Sequence, residues 1–332
     1  MSADAVARGV AFLGGAQLAS GEIPVETSTD PQMRSGGTLD PSIFPTALAI
    51  SCLTSCPAAD QIVAKARRFL LAESDGRGLW RHWPRVHPHH RQLPPDVDDS
   101  ACAAAALGPA APDNRALLLA NRRSDGLFLT WFIPRTRWTS LEHLRATLPQ
   151  LRHLPTLAMF FRHTSARPGD VDAVVNANAL HGLGNFEGRE RVESYLLAIL
   201  RNRAETRCDK WYEDPFVVWY FFARAIGGRA EAAALIAERL AETRRETPLH
   251  AALAISTAAC CDTAIDPSDI ATLAHGQLPS GAWPRAALYH GGRKRRVDGF
   301  DPPHPHTPHW GSEALTTAFA VEALVHAGKG DA

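Results

Sequence analysis

Six stretches of the chain are apolar on most faces, and each begins at a residue that caps helices: Asp40 to Leu53, Asp96 to Leu107, Asp172 to Leu183, Asp214 to Ile226, Thr247 to Ala259 and Ser312 to Val325. A helix that is hydrophobic all round belongs in an interior. Between them run stretches that carry charge along one face, such as Ala230 to Arg245, as an outer layer in contact with water would. Strand signals are nearly absent. Buried helices alternating with amphipathic ones predict an all-α fold, a single (α/α)6 barrel spanning residues 1–332. In such a barrel the loops entering the inner helices lie at one end. Six helix N-termini, with their partial positive charge, then converge on one mouth. Segments 76–95, 133–170 and 285–311 would form its rim.

The turns that precede inner helices repeat. Gln17-Leu-Ala-Ser-Gly21-Glu-Ile-Pro24 and Gln277-Leu-Pro-Ser-Gly281-Ala-Trp-Pro284 share their Gln, Leu, Ser, Gly and Pro positions. Looser relatives stand at Glu73 to Trp80 and Asn121 to Phe128. Each follows a helical run (Val6 to Ala16, Ile62 to Leu71, Asn114 to Leu119 and Pro267 to Ala274). A Gly after such a run is a helix stop.

Composition narrows the classes. The 332 residues hold 35 Lys plus Arg and 35 Asp plus Glu, a formal net charge of zero. That balance argues against a nucleic-acid partner recognised by general basicity. A hydrophobic content of 45% is enough for a large core. Nothing approaches the ~18 apolar residues of a membrane span, and the N-terminus lacks the pattern of a secretory signal. Six scattered Cys do not resemble a disulfide framework, so a cytoplasmic location is expected.

Candidate chemistry sits at the helix starts. The loop before the second inner helix reads Asp96-Val97-Asp98-Asp99-Ser100-Ala101. Three carboxylates packed together at low dielectric cannot all ionise freely, so at least one should hold a proton near neutral pH. A desolvated carboxylic acid is what protonation of an alkene or epoxide needs. The plainer reading is that these Asp residues cap the helix. The third inner helix carries Asp172, Asn176 and Asn178; Asp172 and Asn176 share a face and either orient a water or substrate oxygen or form a packing network. Arg293, Lys294, Arg295 and Arg296 make a basic run that either holds a diphosphate or is simply solvated. Two His-rich loops, His82 to His90 and His304 to His309, carry only a weak metal signal, and no metal site is expected.

The Asp96 to Ala101 stretch resembles the DxDD(T/S)A motif of the class II terpene cyclases, the squalene-hopene cyclase and copalyl diphosphate synthase group. The Gln277 to Trp283 turn resembles their QW repeat. The resemblance implies that Asp98 is the general acid, with Asp96 and Asp99 holding its geometry. It would protonate the terminal double bond of a hydrophobic isoprenoid, a linear prenyl diphosphate or a prenylated small molecule, and start cation cyclisation. Such cations need aromatic walls; Trp211, Tyr212, Trp219 and Trp310 are candidates. No cofactor is implied for the protonation, although Mg2+ would accompany a diphosphate. Members of that group enclose the acid between two barrels, whereas this length holds one. The rim segments 76–95, 133–170 and 285–311, a partner barrel or second copy, or peripheral contact with a membrane would then complete the cavity. Two other readings stay open. A barrel of this type also suits a carbohydrate hydrolase or lyase, pairing Asp96 or Asp98 with Asp172 or Asp214. The barrel could equally bind a hydrophobic ligand without chemistry.

Overall fold

The computed structural model describes residues 2–35, 37–135, 140–296 and 299–330. Residues 136–139 and 297–298, inside two of the expected rim loops, lie outside the described residues. The six inner helices are α2 (Ile43–Leu53), α4 (Val97–Leu107), α8 (Ala173–Leu183), α10 (Pro215–Ile226), α12 (Pro248–Cys260) and α14 (Glu313–Gly330). The outer layer is α1 (Ser2–Ala16), α3 (Asp60–Glu73), α5 (Arg115–Ala120), α9 (Arg189–Arg201), α11 (Ala230–Glu242) and α13 (Pro267–Gly276). The ring closes where α14 packs on both α2 and α12. The expected alternation is therefore the observed one.

Local chemistry explains the starts and stops. Asp96, Asp214, Thr247 and Ser312 accept backbone N–H bonds from Asp99, Phe216, His250 and Leu315 in the first turns of their helices. The N-terminus of α8 is served differently, because the Asp209 carboxylate, far along the chain, accepts from the Val174 N–H at 2.8 Å.

The repeated turns are structural joints. Gln277 Nε2 donates to the carbonyls of Gly281 and Ala5, both at 2.9 Å, tying the last outer helix to the first. Gln17 Nε2 does the same for Gly21 and Ile62, at 2.9 and 3.0 Å. Trp80 and Trp283 each donate an indole N–H, at 2.8 Å, to the carbonyl ten residues back, Leu70 and Leu273. Four inner helices then hold the post-turn backbone through one polar side chain each. Thr46, Ser100, Asn176 and Thr317 accept from the N–H of Ile23, Trp80, Phe128 and Trp283, at 2.8 to 3.0 Å. Gly21 and Gly281 have φ of +100° and +88°, and a Cβ on either would meet a backbone carbonyl of the neighbouring outer helix at 2.4 or 2.6 Å. Only Gly satisfies both demands.

Two features go beyond the expected ring of inner and outer helices. A four-stranded antiparallel sheet forms at the mouth in the order β2 (Thr38–Leu39), β1 (Glu26–Ser28), β6 (His309–Gly311), β3 (Ala287–His290), with Thr27 opposite Trp310. Closing the ring brings the segments after the first and last turns side by side, where their backbone groups must pair. A second pair joins β4 (Arg295–Arg296) to β5 (Gly299–Phe300). The 133–170 loop also folds into α6 (Leu141–Thr147) and α7 (Leu154–His163), capped by Ser140 accepting from the His143 N–H. These helices cover the rim through a separate small core of Trp131, Ile133, Leu157 and Ala166, with Phe160, Phe161 and Trp211 against it.

The joint geometry predicts that Gly281→Ala destabilises the fold by about 2–3 kcal/mol, from backbone strain plus the clash with the Arg8 carbonyl. Trp283→Phe, which keeps most of the packing but leaves the Leu273 carbonyl unpaired, should cost about 1–2 kcal/mol. Urea unfolding of the two variants checks both values.

Candidate active site

Asp98 lies in the first turn of α4, two residues past the Asp96 cap. Asp96 and Asp99 are 5% and 3% exposed, whereas Asp98 is half-buried. Its two oxygens are held by different helices or their approaches. Asn178 Nδ2, on α8, donates to Oδ1 at 2.7 Å, and the Tyr212 hydroxyl, ahead of α10, donates to Oδ2 at 2.9 Å. Each oxygen keeps one lone pair free, so a proton on Asp98 occupies a site that neither donor fills.

Burial drives the charge state. Loss of water raises the Asp98 carboxyl to about 6, against the opposing donors Asn178 and Tyr212. Burial also raises Asp96, and the Asp99 carboxyl is pushed well up, by burial first and then by Asp96 beside it. The contact between those two carboxyls is relieved when they share a proton. Asp96 and Asp99 therefore form a capping pair behind Asp98, and the groups that hold Asp98 in place are Asn178 and Tyr212 instead.

An aromatic wall starts at this acid. The Tyr212 ring lies 5.6 Å from Phe221, 6.2 Å from Tyr289 and 6.3 Å from Phe44, centroid to centroid. Tyr289 stacks on Trp310 at 5.4 Å and 9°, and His82 meets both edge-on. Trp310 is fixed by donating its indole N–H to Asp40, at 2.5 Å. Tyr212 itself is positioned from below. Asp209 accepts from the N–H groups of Trp211 and Tyr212, and Arg293 donates to the carbonyls of Thr206, Asp209 and Tyr212.

The structure gives several of the expected site residues other work. Asn176 is the joint to Phe128, its amide satisfied on the Phe128 N–H and carbonyl and the Asp172 carbonyl. Asp172 accepts from Thr130 and the Trp211 indole, at 2.7 and 3.2 Å. Trp211 is thereby turned toward Trp131 and the rim core. Trp219 donates to Glu205 at 3.2 Å and packs on Phe216, facing the outer layer. Asp214 caps α10 and contacts His250 at 2.8 Å. Neither Asp172 nor Asp214 stands free as a second carboxylate for sugar chemistry. The basic run divides: Arg293 is 5% exposed and spends its donors on the Tyr212 loop, while Arg295 and Arg296 are exposed on β4, Arg296 paired with Asp301 at 2.7 Å. His87 contacts Asp40, and His304 and His306 stand together elsewhere. Phe44, Tyr289 and Asp209 were not singled out from sequence. Phe44 looks like any core residue in an apolar helix, and Tyr289 lies in a strand that no pattern announced.

The comparisons with known proteins follow the geometry. No protein-family model matches the chain. Drimenol cyclase drtB of Aspergillus calidoustus is 26% identical over 242 residues, 69% of this chain and 38% of that protein. The chain thus spans well under half the length of this curated relative. A crystal structure of a protein from Actinoplanes superposes with a TM-score of 0.67 at 20% identity, covering 99% of this chain and 100% of that one. The type II terpene cyclase MstE from Scytonema, as a variant in complex with its substrate geranylgeranyl dihydroxybenzoate, superposes with a TM-score of 0.65 at 17% identity, covering 99% of this chain and 97% of that one. The chain has the fold of the type II terpene cyclases.

A carboxyl raised by burial has a defined effect on the stability of this cyclase fold. Asp98 rises to about 6 when folded, against about 3.9 unfolded. The folded state therefore binds the proton more tightly. The resulting stabilisation is fully present below about pH 4 and is lost as pH rises toward 6. Asp98→Asn should remove on the order of 2 kcal/mol of that pH dependence and be the more stable protein at pH 8. Glu22, raised to about 7 by burial, keeps its own share of the slope in both proteins. Denaturant unfolding between pH 4 and 8 measures the difference; parallel curves would contradict it.

Proposed function

We propose that this chain is a class II terpene cyclase in which Asp98 protonates the terminal double bond of a linear prenyl chain. One observation carries the reading: a half-buried carboxyl group raised to about 6, held on both oxygens and adjoining an aromatic cluster. Drimenol cyclase drtB and MstE support it as relatives in sequence and in fold.

The reaction would begin with the alkene π electrons taking the proton from Asp98. A C–H bond forms, the O–H pair stays on the carboxylate, and a tertiary cation remains on the chain. Asn178 and Tyr212 stabilise the carboxylate that is left, with no reorganisation. Internal double bonds then attack the cation in turn, forming ring C–C bonds. Tyr212, Tyr289 and Trp310, backed by Phe221 and Phe44, stabilise the moving charge without capturing it. Loss of a proton or addition of water ends the sequence, and solvent returns a proton to Asp98.

At pH 7 a group of pKa near 6 is protonated in roughly a tenth of the molecules. A prenyl chain that displaces water from the cavity raises that fraction, because it removes the remaining solvation of the charged form. The polar head of the substrate would rest at the rim. A prenylated small molecule suits it better than a diphosphate, because Arg293, the buried member of the basic run, has Nη2 on three backbone carbonyls and Nη1 3.6 Å from the Glu213 carboxylate. Any Mg2+ would arrive with a diphosphate substrate.

Incubation in D2O with fifteen- and twenty-carbon prenyl alcohols, diphosphates and prenylated hydroxybenzoates, with and without Mg2+, tests the proposal by mass spectrometry. The expected product is cyclic and carries one deuterium from the initiating step. Asp98→Asn should lower turnover by at least about 100-fold. Unlabelled cyclic product, or full turnover by Asp98→Asn, would overturn the assignment.

A further inference from the structure

Asp98 stands where the inner helices begin. The opposite end of the barrel, where those helices stop, holds a cavity of about 310 Å³. Five inner helices supply its walls: Ser51 from α2, His181 from α8, Arg224 from α10 with Gly227 just past its end, Cys260 from α12 and Glu322 from α14. The other lining residues are alanine and glycine, so no bulky side chain fills it.

Two opposite charges line this cavity, and each has a polar atom left over. Arg224 lies over the rings of Tyr220 and Phe221, 5.4 and 5.9 Å from their centres, and its Nη1 is buried with no hydrogen-bond partner among the described residues. Glu322 accepts from the Tyr220 hydroxyl at 3.3 Å on Oε1, and its Oε2 is likewise buried and unpartnered. Both residues are half-buried overall. Helix α12 packs on both α10 and α14 and stands between them in the ring, so the two charges enter the wall from different sides. An unused donor and an unused acceptor in a buried setting cost stability unless something supplies their partners.

The rest of the wall is uncharged at neutral pH. Burial, then the Arg224 charge, lowers His181 to about 4, and its Nδ1 donates to the Arg224 carbonyl at 3.0 Å. Burial pushes the Cys260 thiol up to about 11. Ser51 spends its hydroxyl hydrogen on the Ala47 carbonyl at 3.1 Å. The C-terminal ends of the inner helices add partial negative charge here, so a simple anion meets repulsion from them and from Glu322. A simple cation meets repulsion from Arg224. A molecule that carries both charges matches both sides.

We propose that this cavity binds a small zwitterion, an α-amino acid with a short side chain. The ligand carboxylate pairs with the Arg224 guanidinium, and its ammonium group donates to Glu322. The volume stands at the lower end of small-molecule sites, and the alanine and glycine lining leaves room for only a few side-chain atoms. The site lies at the far end of the barrel from Asp98 and does not depend on the cyclase reading.

Isothermal titration calorimetry of the full chain tests this, with glycine and L-alanine as probes and with acetate and methylammonium as the two halves of the ligand. Both amino acids should bind saturably, and each half should bind roughly tenfold more weakly or worse. Arg224→Met and Glu322→Gln should each lose roughly tenfold in amino-acid affinity. Ser51→Leu keeps both charges and fills the cavity, and it should abolish binding; it serves as the test even where a charge variant does not fold. Glycine should also raise the thermal unfolding midpoint of the parent and leave that of Ser51→Leu unmoved. Absence of saturable binding of either amino acid would overturn the proposal, since the cavity would then hold water alone. So would acetate or methylammonium binding as tightly as glycine, or undiminished glycine binding by Ser51→Leu.

Discussion

An acid that gives up a proton in a dry setting, as proposed for Asp98, is caught between two demands. It has to be dry enough to stay protonated, yet its conjugate base has to be stable enough to form. Here the balance rests on the hydrogen bonds that Asn178 and Tyr212 make to the two oxygens of Asp98. Burial alone would raise the carboxyl further, and the two donors bring it back to about 6. A neutral donor is well suited to this task. A cation as close as those donors would hold Asp98 ionised; the Arg224 charge acts on it more weakly than either donor.

Two buried polar residues, Asp209 and Arg293, keep those two donors in place. Asn178 is fixed by α8, whose N-terminus is held by Asp209 from another segment. The same Asp209 binds the Tyr212 backbone, and Arg293 gathers three carbonyls of the same loop. A single buried carboxylate thus ties the segments that carry the two donors to each other. The Gln and Trp joints fix the ring of helices that carries them.

Much of this was legible in the sequence, for physical reasons that also mark its limits. A fully buried helix preceded by Asp, Ser or Thr announces itself, and the six inner helices did so. The cluster at Asp96 to Asp99 was visible because like charges so close together conflict in any buried setting. Which residue does what was less accessible. Asn176 and Asn178 are two apart, on nearly opposite sides of a helix, and in a helix buried all round nothing in the pattern says which side faces the cavity. The structure sends Asn176 to a joint and Asn178 to the acid. Trp219 faced the same ambiguity and turns outward. Arg293 reads as one of four cations in a run, yet the chain buries it and leaves Arg295 and Arg296 on the surface. The aromatic wall was legible only in part, because Tyr289 and Trp310 stand opposite each other in a sheet whose pairing depends on closure of the ring.

The account turns on the charge state of one carboxyl group, and that state is directly observable. Carbon-13 NMR of the labelled carboxyl of Asp98, titrated from pH 3 to 9, should give an apparent pKa near 6, and Tyr212→Phe should move it upward by removing a donor that favours the ionised form. A value near the ordinary 3.9 of an exposed Asp, or a titration that Tyr212→Phe leaves unchanged, would contradict it.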